Sequence, residues 1–187
     1  MLESEYKTLI SHKDFEELID KFSFPVYNIQ KNFYFDSNEF DLFNHGETMK
    51  LRILNNNAIF IFKSTDTSSN LLTKREESEI LTIFNTAEIP NNIKIYEHPD
   101  LTLKNYGELK TCRYYLVYKG WELSLDHNKY LGTEDFEIEL EEKNTTVSLN
   151  TIVNELGLGS YLSEKQKKTE SKSYRFLSRL KFNNSKR

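Results

Sequence analysis

The sequence predicts an α+β, mainly β protein: a closed antiparallel β-barrel with a polar lumen and helices packed outside. Three observations carry this expectation. Segments that read as strands outnumber helical ones, and hairpin signals join them, which implies antiparallel pairing. The strands alternate charged and apolar residues with a period of two, so each has a charged and an apolar face. The charged faces also separate by sign: acidic on WELSLD (121–126) and DFEIELEE (135–142), basic on TMKLRI (48–53).

The elements follow in chain order. LESEYKTLI (2–10) reads as a strand. HKDFEELIDKF (12–22) places Phe15, Leu18, Ile19 and Phe22 on one helical face, with Asp14 as N-cap. QKNFYFDS (30–37) is a strand closed by a turn, and FDLFNHG (40–46) a turn or short helix ending at Gly46. ETMKLRIL (47–54) and AIFIFKS (58–64) form a hairpin across Asn55–Asn57. STDTSSN (64–70) is a loop. Residues 71–77 read as strand and 77–87 as helix, while NNIKIYE, after Pro90, suits a short helix or a strand.

ELKTCRYYLVYK (108–119) is a strand that turns at Lys119–Gly120 into WELSLDHNKYL, and EDFEIELEEK (134–143) is another. SLNTIVNELGL (148–158) is helical, capped by Ser148 or Asn150. KQKKTESKSYRFLSRLKF (165–182) is a basic final helix with Tyr174, Leu177 and Leu180 packed inward.

The chain has 187 residues, 37% apolar, 29% charged and 13% aromatic, which suits a single domain over 1–187 with a sizeable core. A net charge of −4 argues against a general nucleic-acid binder. The one cysteine, Cys112, excludes an intramolecular disulfide and a thiolate zinc cluster. The four histidines lack HExxH-type spacing, so any metal is expected on oxygen ligands, which favours Mg²⁺, Mn²⁺ or Ca²⁺. No apolar N-terminal run resembles a signal peptide and no segment reaches transmembrane length, so the expected location is the cytoplasm.

A half-buried sheet with its charges in solvent accounts for each strand taken alone. Two features favour closure. Solvated faces usually intersperse signs. And Glu137, Glu139 and Glu141, two apart on one strand, repel one another unless a cation binds them. A barrel lumen would hold carboxylates for metal ions and Lys/Arg groups for a polyanion, and a triphosphate with divalent cations fits that inventory.

The ordered set of motifs resembles the CYTH domain group of the triphosphate tunnel metalloenzymes, most closely its Firmicute-type bacterial members. The E-x-E-x-K motif is Glu3-Ser-Glu5-Tyr-Lys7. NFYFDS, Leu42 and Gly46 are similar to the aromatic-Asp-Ser/Thr stretch. MKLRI supplies Lys50 and Arg52, and IFK supplies Lys63. YGELKTCR gives Arg113, LSLDHNKYLG gives Asp126, Tyr130 and Gly132, DFEIELE gives Glu137, Glu139 and Glu141, and SKSYRFL resembles the final-helix segment. The matches run from residue 3 to about residue 177. The basic strand has Lys50 where arginine is common, and LLTKREESEIL does not align, which leaves Lys74, Arg75, Glu77 and Glu79 unassigned.

The resemblance implies an eight-stranded tunnel that binds a triphosphate. Lys7, Lys50, Arg52, Lys63 and Arg113 would hold phosphate oxygens. Glu3, Glu5, Asp126, Glu137, Glu139 and Glu141 would bind one or two Mg²⁺ or Mn²⁺ ions, which neutralise charge and orient water for in-line attack. Lys7 would stabilise developing charge, and a glutamate such as Glu5 would accept a proton. Asp126 equally suits a turn, Tyr130 suits packing, and His127 is expected to be exposed. Lys172 and Arg175 either reach a phosphate or sit on a solvated helix.

The implied function is metal-dependent hydrolysis of inorganic triphosphate or a small organic triphosphate, by a monomer or homodimer without nucleic-acid or membrane partners. The alternatives are a class IV-type adenylyl cyclase and a non-catalytic polyphosphate or nucleotide sensor. A scaffold with a charged outer surface is a further reading.

Overall fold

The computed structural model of the chain describes residues 5–55, 57–66, 74–80, 89–162 and 169–184. Its elements are β1 (Glu5–Ile10), α1 (His12–Lys21), β2 (Val26–Asp36), α2 (Asp41–Asn44), β3 (Thr48–Leu54), β4 (Asn57–Asp66), β5 (Lys74–Ile80), β6 (Asn92–Ile93), β7 (Leu103–Tyr118), β8 (Trp121–Tyr130), β9 (Thr133–Glu142), α3 (Leu149–Glu155) and α4 (Lys172–Asn184). The chain forms two compact units. One holds the described residues within 30–110 and 171–187, the other those within 3–29 and 111–170, so the division falls inside β2 and β7.

The second unit is built on β1, β9 and β8. Hairpin turns define its register. Lys119 and Gly120 both have positive φ (49° and 79°), as do Leu131 and Gly132 (46° and 72°). Two consecutive positive φ values are the signature of the turn whose twist matches paired strands. Tyr130 pairs with Thr133 across the second turn, and this register carries through to Trp121 opposite Glu142. One face presents Trp121, Leu123, Leu125, Phe136, Ile138 and Leu140, which form a core with Phe15 and Leu18 of α1 and Ile152 and Val153 of α3. Fully burying each such side chain stabilises the fold by about 1.5–3 kcal/mol. Ser11, not Asp14, is the N-cap of α1; Asp14 stands three residues on and closes a capping box. Ser148 caps α3.

The first unit pairs β2 with β3, β3 with β4 and β4 with β5, all antiparallel. Phe35, Met49, Leu51, Phe60 and Phe62 face a core completed by Leu42, Ile95 and Leu103. Asp36 is buried and accepts from the backbone N–H groups of Ser37 (2.8 Å), Leu42 (3.0 Å) and Phe43 (3.0 Å), tying the end of β2 to α2. Burial pushes its carboxyl above the usual range against those three donors. Helix α4 buries Phe176 and Leu177. Its inward face is Ser173, Phe176, Leu177 and half-buried Leu180, while Tyr174 is exposed with its ring 5.1 Å from Phe43.

The expected closed barrel is not present. The strand order is β1-β9-β8-β7-β2-β3-β4-β5, with β6 beside β7, and among the described residues nothing joins β1 to β5. Period-two alternation dictates which face is polar, not whether two edges meet. Each unit buries its apolar face in its own core, so the polar faces did not require closure to form. One further expectation changes. Residues 77–80 belong to strand β5 instead of a helix, with 81–88 outside the described residues; of the two readings of NNIKIYE the strand is the one observed, as the short β6.

A Cβ at Gly120 would lie 2.4 Å from the Asn144 carbonyl oxygen, whereas one at Gly132 meets nothing within 4 Å. Gly120→Ala is therefore expected to lower the unfolding free energy by about 1–3 kcal/mol, and Gly132→Ala by less, in urea titrations followed by circular dichroism.

Candidate metal and anion sites

Strands β1, β9 and β8 carry the candidate acidic site on the face opposite the core. Lys7 lies across from Glu139, Glu5 from Glu141, Asp126 from Glu137, and Glu122 from Glu141. Cross-strand partners share a face, so the predicted residues Glu5, Lys7, Asp126, Glu137, Glu139 and Glu141 all project from one side. Glu3 lies outside the described residues.

Asp126, Glu137 and Glu139 form the centre of this face. Each offers a carboxylate oxygen within 4.8 Å of the others. Asp126 and Glu137 are 0% exposed and Glu139 6%. Asp126 sits in the middle of β8, not in a turn.

Arg113, from β7, meets this group with its guanidinium. Its Nε donates to Asp126 Oδ1 at 2.8 Å and its terminal nitrogen to Oδ2 at 2.7 Å, a two-pronged contact. The same nitrogen is 3.5 Å from Glu139, and the other is 3.7 Å from Glu122. Burial alone would lower the Arg113 pKa; Asp126, Glu139 and Glu122 outweigh it and hold the group well above its ordinary value.

The outer carboxylates have their own cations. Lys7 pairs with Glu5. Lys143 lies 2.7 Å from Glu141 and 3.9 Å from Glu122. Burial depresses the Lys143 ammonium, but Glu141 and Glu122 raise it more, and its pKa is above normal.

Beyond Asp126, a polar network continues along the face. Thr111 donates to Asn128 Oδ1 (2.7 Å), Asn128 Nδ2 to Asp135 Oδ1 (2.9 Å) and Tyr130 to Asp135 Oδ2 (2.7 Å). Tyr130 is thus buried and packed, with its hydroxyl satisfied. His127, expected to be exposed, lies on the opposite face: it stacks on Phe136 at 4.5 Å and its Nε2 is 2.8 Å from Glu134. Glu122, Lys143, Asn128 and Asp135 were not singled out as site residues. Glu122 and Asn128 continue the alternation through Asp126, and Asp135 and Lys143 continue that of β9, so the signal was the period itself.

In the other unit, register places Thr48, Lys50, Arg52, Ile59, Ile61 and Lys63 on one face. Lys50 is buried, and Arg52 and Lys63 are half-buried. Arg52 Nε donates to Asn32 Oδ1 at 3.2 Å. Thr48 donates to Ser173 of α4 at 3.2 Å, and Phe176 lies 5.0 Å from Tyr34. The side chains of residues 74–80 lie outside the described residues, and with them Lys74, Arg75, Glu77 and Glu79.

The chemistry of the acidic centre fits a hard cation. Of the three buried carboxylates, Asp126 and Glu139 meet the Arg113 guanidinium, and oxygen donors are what Mg²⁺ and Mn²⁺ take. Breaking a buried pair by removing one partner costs about 3–5 kcal/mol. Arg113→Met is expected to lose that much stability in urea unfolding, and Arg113→Lys less, because the ammonium keeps the charge but not the fork.

Comparison with known proteins places the chain in a family. The model of the CYTH domain matches residues 1–174. A Bacillus subtilis (strain 168) protein provisionally named triphosphatase YjbK is 27% identical over 146 residues, covering 75% of this chain and 77% of the relative. The crystal structure of a protein from Bacillus halodurans, provisionally named an adenylate cyclase, superposes with a TM-score of 0.69 at 26% identity, over 94% of this chain and 97% of that one. A Hippeastrum protein, provisionally an adenylyl cyclase but described as having a dominant triphosphatase activity, shares the fold at a TM-score of 0.61 and 21% identity, over 95% and 96% of the two chains. Among the described residues no helix is long and apolar enough to cross a membrane. The chain belongs to the CYTH domain family.

Proposed function

We propose that this protein is a divalent-metal-dependent triphosphatase acting on inorganic triphosphate or a small organic triphosphate. The observation that carries the reading is the buried Asp126–Glu137–Glu139 cluster joined to Arg113 on a polar sheet face. Family membership and the name of the B. subtilis relative support it.

In this reading Asp126, Glu137 and Glu139 hold Mg²⁺ or Mn²⁺. The ion supplies charge neutralisation at the phosphates and orientation of the attacking water. Arg113 and Lys7 contact phosphate oxygens, and Lys7 offsets charge that develops as the anhydride bond breaks. Arg113 is held in place by Asp126, which orients its remaining N–H groups before substrate arrives. Glu5, beside Lys7, is assigned to accept the proton from the attacking water. Lys50, Arg52 and Lys63 are assigned to phosphate contacts. A purely phosphate-binding protein would need only the cationic set, so three buried carboxylates favour hydrolysis.

The test is phosphate release from inorganic triphosphate, thiamine triphosphate and ATP with Mg²⁺ or Mn²⁺. Release is expected to require metal, to stop with EDTA, and to fall by about 10²-fold or more in Glu137→Gln and Glu139→Gln. Lys50→Ala and Arg52→Ala are expected to raise KM more than they lower kcat. Metal-dependent triphosphate binding without release would make the protein a sensor, and cyclic AMP formed from ATP would make it a cyclase.

A further inference from the structure

Across β1, β9 and β8 the carboxylates of Glu5, Glu141 and Glu122 stand at one register level. Like charges directly opposite destabilise a sheet, so such a row needs cations. The central triad of Asp126, Glu137 and Glu139 clusters closely enough to share an ion, and Glu122 and Glu141 are not part of that cluster. The chain supplies their cation itself. Glu5 takes Lys7, Arg113 comes within 3.7 Å of Glu122, and Lys143 reaches both Glu141 and Glu122, at 2.7 and 3.9 Å.

The placement of Lys143 is built. It lies two residues beyond Glu141 and one past the end of β9, within 2.7 Å of the Glu141 carboxylate. Its backbone N–H donates to the Gly120 carbonyl at 3.0 Å, as does that of Asn144 at 3.3 Å. The close approach of the Asn144 carbonyl to Gly120 leaves no room for a side chain there. The 119–120 turn and residues 143–144 therefore lock together, and the lysine is carried to the outer carboxylates.

We propose that Lys143 is a tethered counter-ion that occupies the Glu122–Glu141 pair in place of a second divalent ion, and so limits this chain to a single metal ion at Asp126, Glu137 and Glu139. The proposal rests on the metal-binding reading above and deepens it. A cation attached to the chain is present at high effective concentration and is not removed by chelators. Lys143 is thereby a positioning residue: it acts on the metal count through Glu122 and Glu141.

The test is Mn²⁺ titration of the full chain by calorimetry, with electron paramagnetic resonance to detect coupling between neighbouring ions. The native protein is expected to bind one Mn²⁺. Lys143→Met is expected to gain a second, weaker Mn²⁺ with a coupled spectrum. Lys143→Arg, which keeps the charge, is expected to stay at one, and Lys143→Met with Glu141→Gln to return to one. Lys143→Ala, checked by circular dichroism, serves as the second variant should the methionine perturb folding. A second ion in the native protein would overturn the proposal and leave the triad reading intact, as would a single ion in both folded Lys143 variants. No ion in the folded native protein would overturn both.

Discussion

The register of β9 between β1 and β8 is the constraint on which the rest of the molecule's chemistry depends. It is set at Leu131–Gly132, where a two-residue turn with both φ angles positive places Tyr130 opposite Thr133. A slip of one residue would move Glu137 and Glu139 into the core and Ile138 and Leu140 out of it. Both errors are expensive: a carboxylate among Leu123, Leu125 and Ile152 has no partner, and the apolar burial is lost. The core against α1 and α3 thus specifies the acidic face as firmly as any contact within that face.

That face is an electrostatic problem with a local solution for each group. Asp126 and Glu139 meet a guanidinium that Asp126 holds in a two-pronged grip, while Glu5 and Glu141 take the ammonium groups of Lys7, within β1, and Lys143, just past β9. Removing two charges from water repays only with good geometry, and the arginine fork supplies it. Carboxylates held beside a guanidinium make a surface that a hard divalent ion suits.

Much of this was legible in the residues. WELSLD, DFEIELEE and TMKLRI gave the faces of β8, β9 and β3, because alternation is a direct consequence of the pleat. The joint placement of Lys7, Asp126, Glu137 and Glu139 on one side is a matter of register between strands, which the alternation within each strand does not give. What could not be read was closure: the inference from sign-separated faces to a sealed lumen assumed that polar residues turn inward only in a barrel. Ser11 was passed over for Asp14 because both are good caps and only the geometry distinguishes Ncap from the third helical position. Phe176 was missed on α4 because the inward face was read through Tyr174, whose ring instead lies against Phe43 at the surface. Lys143 reads as an ordinary end-of-strand charge until the Gly120 turn is seen to hold it.

Each unit is discontinuous in sequence, and α4 shows what that means for a chain made from one end. Thr48 of β3 donates to Ser173, 125 residues later, and Phe176, with no exposed surface, comes from the last helix. At a synthesis rate of about 5–20 residues per second, β3 waits roughly 6–25 s for that partner. During this interval Tyr34 lacks the ring that later lies against it. Residues 171–184, most of which the sequence reads as part of a basic final helix, therefore complete the unit that holds residues 30–110. A truncation before Ser171 would leave the unit in the state that every newly made chain passes through on the ribosome.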